Sequence, residues 1–344
     1  MKVEKKVIYN LNKCYSMAKL RFKGQDCFLT AAEKQDPCYL FSAEGALLDT
    51  VWEGPGGVMT MEQIPGSDGA FLATHEFYSP NDSAKARIII ASPAENGWEI
   101  RTLCDVPFVH RFGILHRNGV NYLIVCCLKS GHEYKDDWRF PGATYGAVLP
   151  ENLSAFNKDN QLELTLLMDN MLKNHGYSKY TEDGVDTAVV ACDTGVYQFI
   201  PPEVPGGTWE IRQLISDPSS DAVLMDFDGD GELELGNITP FHGDTLRIYK
   251  KNSGGAYETV WEYPEKCPFL HATWTAELFG KPTWFVGNRQ GERLSMAVTW
   301  DDGYKAEIFD KGAGAANAMM LDETRLAMTN RETNEIAIYK FSEE

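Results

Sequence analysis

Long apolar runs are absent from this 344-residue sequence. No stretch approaches the roughly 18 residues that a membrane-spanning helix needs. The opening MKVEKKVIYN carries charge with no apolar run behind it, so no secretory leader is expected either. Basic charge is scarce: 32 Lys and Arg face 50 Asp and Glu, for a net charge of −18. Nucleic acids and anionic membranes are recognised by clustered Lys and Arg, so neither is an expected partner. Small neutral or cationic ligands stay open. The eight cysteines include no CxxC pair, which argues against a thiolate zinc site. They sit in apolar, strand-like contexts and read as reduced core residues of a cytoplasmic protein. A Ser-His-Asp arrangement, a phosphate-cradling Gly-rich loop and a dinucleotide fingerprint are also missing.

What is present is a repeat. Glycines at 24, 69, 119, 184, 231 and 280 stand 45 to 65 residues apart, each in a turn between two short strand patterns. The strand after each turn reads CFLTAAE, AFLATHE, YLIVCCL, TAVVACD and ELGNITP, and the series continues as TWFVGNR and RLAMTNR. Third strands follow as CYLFSA, ARIIIAS, YGAVLP, VYQFIP, LRIYKK, SMAVTW and IAIYKF. Four short strands per copy at this period are the signature of β-propeller blades. The expected fold is therefore all-β, a seven-bladed β-propeller forming one domain over residues 1–344. The one long interval holds an insertion or elongated fourth strand at about 150–174. The last copy stops at its third strand, and Lys6–Asn10 has no copy to join. The N-terminal strand is thus expected to close the ring and remove the exposed edge.

In such a ring the first strands line a central channel. The loops leading into them share one face with the loops after the second strands. His110, His175 and His271 each stand nine residues before a turn glycine. Three imidazoles at one position of a closed repeat converge near its axis, which is the ligand set of a divalent site with an open position. Zinc is the default ion for such donors, with Mn, Fe or Ni as alternatives. A single histidine near a strand end is more often a core residue than a ligand; the shared offset is what favours the ligand reading. His242, His75 or water would complete the set.

A second cation pattern is Asp226-Phe-Asp228-Gly-Asp230-Gly-Glu-Leu-Glu234, with carboxylates at alternate positions and glycines between them. That arrangement wraps oxygen ligands around a hard cation. It is expected at the opposite end of the channel, holding structural Ca²⁺ or Mg²⁺, with a solvated acidic turn as the alternative. A third stretch, His132-Glu-Tyr-Lys135-Asp-Asp-Trp138 followed by Pro141-Gly142 and Tyr145, is a long charged and aromatic loop on the histidine face. A plain surface loop held by Lys/Asp pairs is the competing reading there.

Phe108-Val-His110-Arg111-Phe, the Lys135–Gly142 loop, the Asp226–Glu234 loop and Pro240-Phe-His242-Gly-Asp244 together resemble the propeller of the aldos-2-ulose dehydratase (1,5-anhydro-fructose dehydratase) family. The resemblance extends over most of the chain at the level of blades. It implies a metal-dependent lyase that removes water from a keto-sugar. The family's C-terminal cupin part has no counterpart in these residues, so an isomerisation performed there is not expected of them.

The functional expectation is a carbohydrate lyase or dehydratase eliminating water or an alcohol from a keto-sugar or keto-glycoside. His110, His175 and His271 would hold the metal, and His132, His242 or Tyr145 would move protons. His75, Arg111, Lys135, Trp138 and Arg289 would bind the small carbohydrate. A hydrolase or epimerase would use the same groups. The rival of a different class is a non-catalytic propeller that binds glycan or protein, its histidines structural.

Overall fold

The protein is described by a computed structural model over residues 1–343. It is a seven-bladed β-propeller, each blade a four-stranded antiparallel sheet, with no helix among the described residues. Blade one comprises Cys14–Phe22, Gln25–Ala32, Cys38–Ser42 and Leu47–Trp52, and blade three Val109–Arg117, Val120–Lys129, Pro141–Val148 and Thr165–Met171. Blade five runs through Asp221–Met225, Glu234–Thr239, Thr245–Lys251 and Tyr257–Glu262, and the others repeat this order. Lys2–Asn10 pairs antiparallel with Glu335–Ser342, Lys2 opposite Ser342 and Asn10 opposite Glu335. It supplies the outer strand of blade seven, as the unpaired N-terminal segment implied.

The blades cohere because their strands are apolar on both faces, a pattern open to sheets covered on both sides. In the third strand of blade two, Arg87–Ala94, Ile88 and Ile90 pack toward blade three, against Phe112, Ile114, Leu123 and Val125. Ile89 points the other way, toward Leu29, Ala31 and Leu40 of blade one. Alternation thus reads as an unbroken apolar run, III. Truncating a buried ring such as Phe112 to alanine would cost about 3–5 kcal/mol. All eight cysteines are free and buried within these layers.

The long interval in blade three resolves into a loop followed by a strand. Residues 151–164 fold back over blade two. There Arg101 Nη1 donates to the carbonyls of Leu153, Ser154 and Phe156 at 3.0, 3.1 and 2.8 Å. The Leu162 N–H donates to Leu103 O at 2.9 Å. Only then does the chain form the fourth strand, Thr165–Met171.

Candidate functional site

One backbone device delivers the channel side chains. In blade three Val109 pairs with Cys127 and Arg111 with Cys126, leaving His110 as an extra residue. In blade six Leu270 pairs with Asn288 and Ala272 with Gly287, leaving His271. In blade one Cys14 pairs with Ala32 and Ser16 with Ala31, leaving Tyr15. A bulge of this kind bends the strand and re-aims the odd side chain. In blade four His175 precedes the strand Gly176–Glu182, its N–H donating at 3.1 Å to the carbonyl of Ala191, the residue that pairs with Gly176. The common offset of the three histidines is therefore a common local geometry.

Each of the three imidazoles is tied to the next blade. Nδ1 of His110 lies 3.2 Å from His175 O, Nδ1 of His175 3.2 Å from Ser220 O, and Nδ1 of His271 2.8 Å from Ala316 O. A carbonyl oxygen only accepts, so each Nδ1 carries the proton and each Nε2 keeps its lone pair. His175 Nδ1 also meets the Asp221 carboxylate at 3.1 Å. Metal-binding histidines are held this way, the distal N–H given to a carbonyl or carboxylate. His175 is 1% exposed, and its Nε2 is buried with no hydrogen-bond partner. The Nε2 of His271 accepts from the Tyr15 hydroxyl at 2.8 Å.

The fourth histidine comes from elsewhere. His242 lies on the loop after the second strand of blade five, in the left-handed region at φ 48°. It is stacked between Phe241 at 4.0 Å and Phe269 at 4.2 Å. Its ring is 4.9 Å from His175 and 5.6 Å from His271. Donor atoms of His175, His242 and His271 all lie within 4.8 Å of one another. His110 is not in that set, although its ring is 4.4 Å from His175. The convergent trio therefore keeps two of the three offset histidines and takes His242 in place of His110. These residues fit a divalent ion by donor type and spacing.

Burial and neighbouring charges keep His110, His242 and His271 uncharged. Burial, then the Arg289 charge, holds His271 well below the usual histidine range. Burial, then His175 and the arginines Arg289 and Arg111, does the same to His242. Burial, then His175 and Arg111, lowers His110. Burial pushes the Tyr15 hydroxyl up to about 12 against the pull of Arg111 and Arg289. Arg111 lies over the Tyr15 ring at 5.8 Å, and Arg289 over Phe269 at 4.7 Å. Trp138 packs edge-on to Phe241 at 5.3 Å with the Lys129 ammonium 4.5 Å from its ring, so Trp138, Phe241 and Phe269 form an aromatic cover beside the histidines.

Other expected site residues lie apart from this cluster. His75 is buried between blades one and two, edge-on to Trp52 at 4.6 Å, and burial together with Arg87 lowers it to about 3. Tyr145 lines a separate cavity of about 370 Å³ between blades two and three, with Val106, Phe108, Cys127 and Leu162. The pleat explains it: Tyr145 shares a face with Cys127 and not with the channel. His132 is half-buried, edge-on to Phe108 at 6.1 Å. Lys135 is exposed. Its neighbours hold the loop, Asp137 accepting from Arg139 Nε at 2.9 Å and Asp136 from Asn81 Nδ2 at 3.0 Å. Tyr15 and Asp221 were not among the expected site residues, although they stand at the starts of the first strands of blades one and five as His110 and His271 do in theirs. The aromatic cover of Phe241 and Phe269 carried no signal beyond their neighbouring histidines.

The acidic loop of blade five forms the turn between first and second strands, the end of the channel opposite to the histidine face. Asp226, Asp228 and Glu234 bring carboxylate oxygens within 4.8 Å of one another. The two Asp226 oxygens accept from the N–H groups of Gly229 and Gly231 at 2.7 and 2.9 Å. Lys250, from the third strand, places its ammonium 2.5 Å from Asp228, 2.6 Å from Asp230 and 3.0 Å from Glu234. Burial opposes that charge, but these carboxylates hold Lys250 well above the usual lysine range. The loop expected to wrap a hard cation thus meets an internal one.

No protein-family model matches the chain, and no curated protein matches it. Among solved structures, one described as the streptogramin B lyase structure is similar over 99% of this chain and 98% of that one. Its TM-score is 0.57 at 12% identity. That likeness shows the propeller fold.

Proposed function

We propose that this chain is a metal-dependent carbohydrate lyase whose divalent ion is held by His175, His242 and His271. The observation that carries the reading is the convergence of the three donors within 4.8 Å, with Nδ1 of His175 and of His271 committed to a protein acceptor and the His175 Nε2 buried without a partner. Zinc suits imidazole donors, and Mn, Fe or Ni would be accepted by the same set. When bound, such an ion would supply Lewis acidity toward a substrate carbonyl.

The chain's own groups divide the remaining work. His110, neutral and with no hydrogen bond to its Nε2, takes the proton from the carbon beside the carbonyl. The C–H electron pair becomes the new double bond and the C–O bond beyond it breaks. The Tyr15 hydroxyl gives its proton to the departing oxygen, which leaves as water or an alcohol. Arg111 and Arg289 stabilise negative charge that develops on oxygen, and the aromatic cover excludes water. Proton transfer is thus assigned to His110 and Tyr15 in place of His132, His242 and Tyr145. A streptogramin lyase among structures of this fold is compatible with elimination chemistry but does not carry the assignment.

The test is incubation of the Zn- or Mn-loaded protein with keto-sugars and keto-glycosides, read by mass spectrometry as loss of water or alcohol. Turnover abolished by a chelator and by His110→Gln, with the fold intact, supports the reading. Bound metal with no elimination from any sugar, neutral keto-sugar or acidic sugar alike, sinks it. The second reading, a non-catalytic binding propeller, is favoured by the blade-to-blade hydrogen bonds of the same imidazoles, which give them a structural role of their own.

A further inference from the structure

We infer that the ligand of the channel mouth carries a carboxylate, so that the substrate class is an acidic sugar of the uronate type. The chemistry of this inference rests on the lyase reading; its binding part does not. Arg111 is 9% exposed and makes one hydrogen bond, from Nη1 to Met59 O at 2.7 Å. Among the described residues no carboxylate forms an ion pair with it. A buried charge without a counter-charge is costly and needs a reason to persist.

The carboxylates nearby are already committed. Asp221 accepts from His175 and from Ser220 Oγ at 2.9 Å. One oxygen of Glu332 accepts from Arg289 Nε and Nη2 at 2.9 and 2.8 Å and from Arg331 Nη1 at 2.8 Å. Glu33 pairs with Arg331. Arg289, Arg293, Arg331 and Glu332 line a cavity of about 410 Å³ together with Phe269. Phe269 is the ring stacked on His242, so this cavity adjoins the histidine cluster. Arg111 does not line it and meets the cluster through Tyr15, whose ring it covers and whose hydroxyl reaches His271. Three guanidiniums and one carboxylate form its charged wall, and Arg293 has no acidic partner among the described residues. The net charge of −18 governs long-range steering; with Glu33 counted on Arg331, the wall keeps an excess of one guanidinium, that of Arg293, of the opposite sign.

A uronate explains why the arginines are there. The proton leaves the carbon that bears the carboxylate, and the electron pair spreads into that group, where a guanidinium fork stabilises it in two-point contact. The pair then forms the double bond as the neighbouring C–O bond breaks, and the leaving oxygen takes a proton. The products are an unsaturated acid and water or an alcohol, with no net oxidation.

Calorimetric titration of the metal-loaded protein with glucuronate and galacturonate, against glucose and galactose, tests the inference. The acids should bind at least about tenfold more tightly. Arg111→Gln should erase the preference, and Arg111→Lys should keep part of it. Equal affinity, or no binding of either acid at millimolar concentration, overturns the inference. The wild-type comparison decides this even if the glutamine variant does not fold. Uronate bound with no ultraviolet signal of a conjugated double bond keeps the anion site and removes the lyase. Elimination from neutral keto-sugars without any preference for acids does the reverse.

Discussion

Two regions gather cation ligands, and they differ in what their donors have left to give. The blade-five loop is the richer in charge, yet Asp226 is spent on the loop's own N–H groups, and Asp228, Asp230 and Glu234 converge on Lys250. The channel cluster has no carboxylate among its three donors; its His175 Nε2 is buried and unpartnered, while the His271 Nε2 accepts only from the Tyr15 hydroxyl. An ion competes more easily with a single hydroxyl donor than with an ammonium shared by three carboxylates. Both clusters bring three donor groups within 4.8 Å of one another, and they differ in that the acidic turn already faces the Lys250 ammonium.

The largest effect that would break this contrast is at the histidines. His175→Gln or His271→Gln should lower metal affinity by more than about a hundredfold, measured by competition with a chelating dye, since each removes a ligand outright. Asp221→Asn should weaken affinity by about tenfold to a hundredfold in the same assay, because it orients His175 without being one of the trio. A smaller effect is expected across the molecule. Lys250→Met should cost about 2 kcal/mol in denaturant unfolding, by leaving part-buried carboxylates facing one another. The variant should recover stability with added Ca²⁺, while the wild type should respond little; a strong Ca²⁺ response in the wild type would erase the contrast.

The smallest effect concerns His75, a histidine outside both regions. Its native pKa is about 3 against an unfolded value near 6.5. Below about pH 6.5 the unfolded chain takes up a proton that the folded chain refuses. The stability this group confers is therefore full above pH 6.5 and is lost as pH falls toward 3. His75→Phe should remove up to about 1.4 kcal/mol per pH unit from the slope of unfolding free energy over that window. An unchanged slope would show that His75 is not held neutral.

The ring was legible because a propeller repeats its turns and apolar strands at a fixed period, and even the closing N-terminal strand followed from counting strands. The site was legible in part. A shared offset identifies equivalent backbone positions, so His175 and His271 emerged with His110. It says nothing of a loop residue such as His242, which reaches the cluster through a left-handed turn and two flanking phenylalanines. Tyr145 was misplaced because one step along a strand reverses the face, and sequence distance from a loop does not record it. Lys250 sits two strands from the start of the acidic turn, and only the register of the sheet brings the two together.

The most direct measurement is the metal content of the purified protein by elemental analysis, for the wild type, His110→Gln, and the combined His175→Gln, His242→Gln and His271→Gln variant. The account expects one transition-metal equivalent in the wild type and in His110→Gln, and none in the triple variant. Equal loss in His110→Gln, or no transition metal in the wild type after reconstitution, would contradict it.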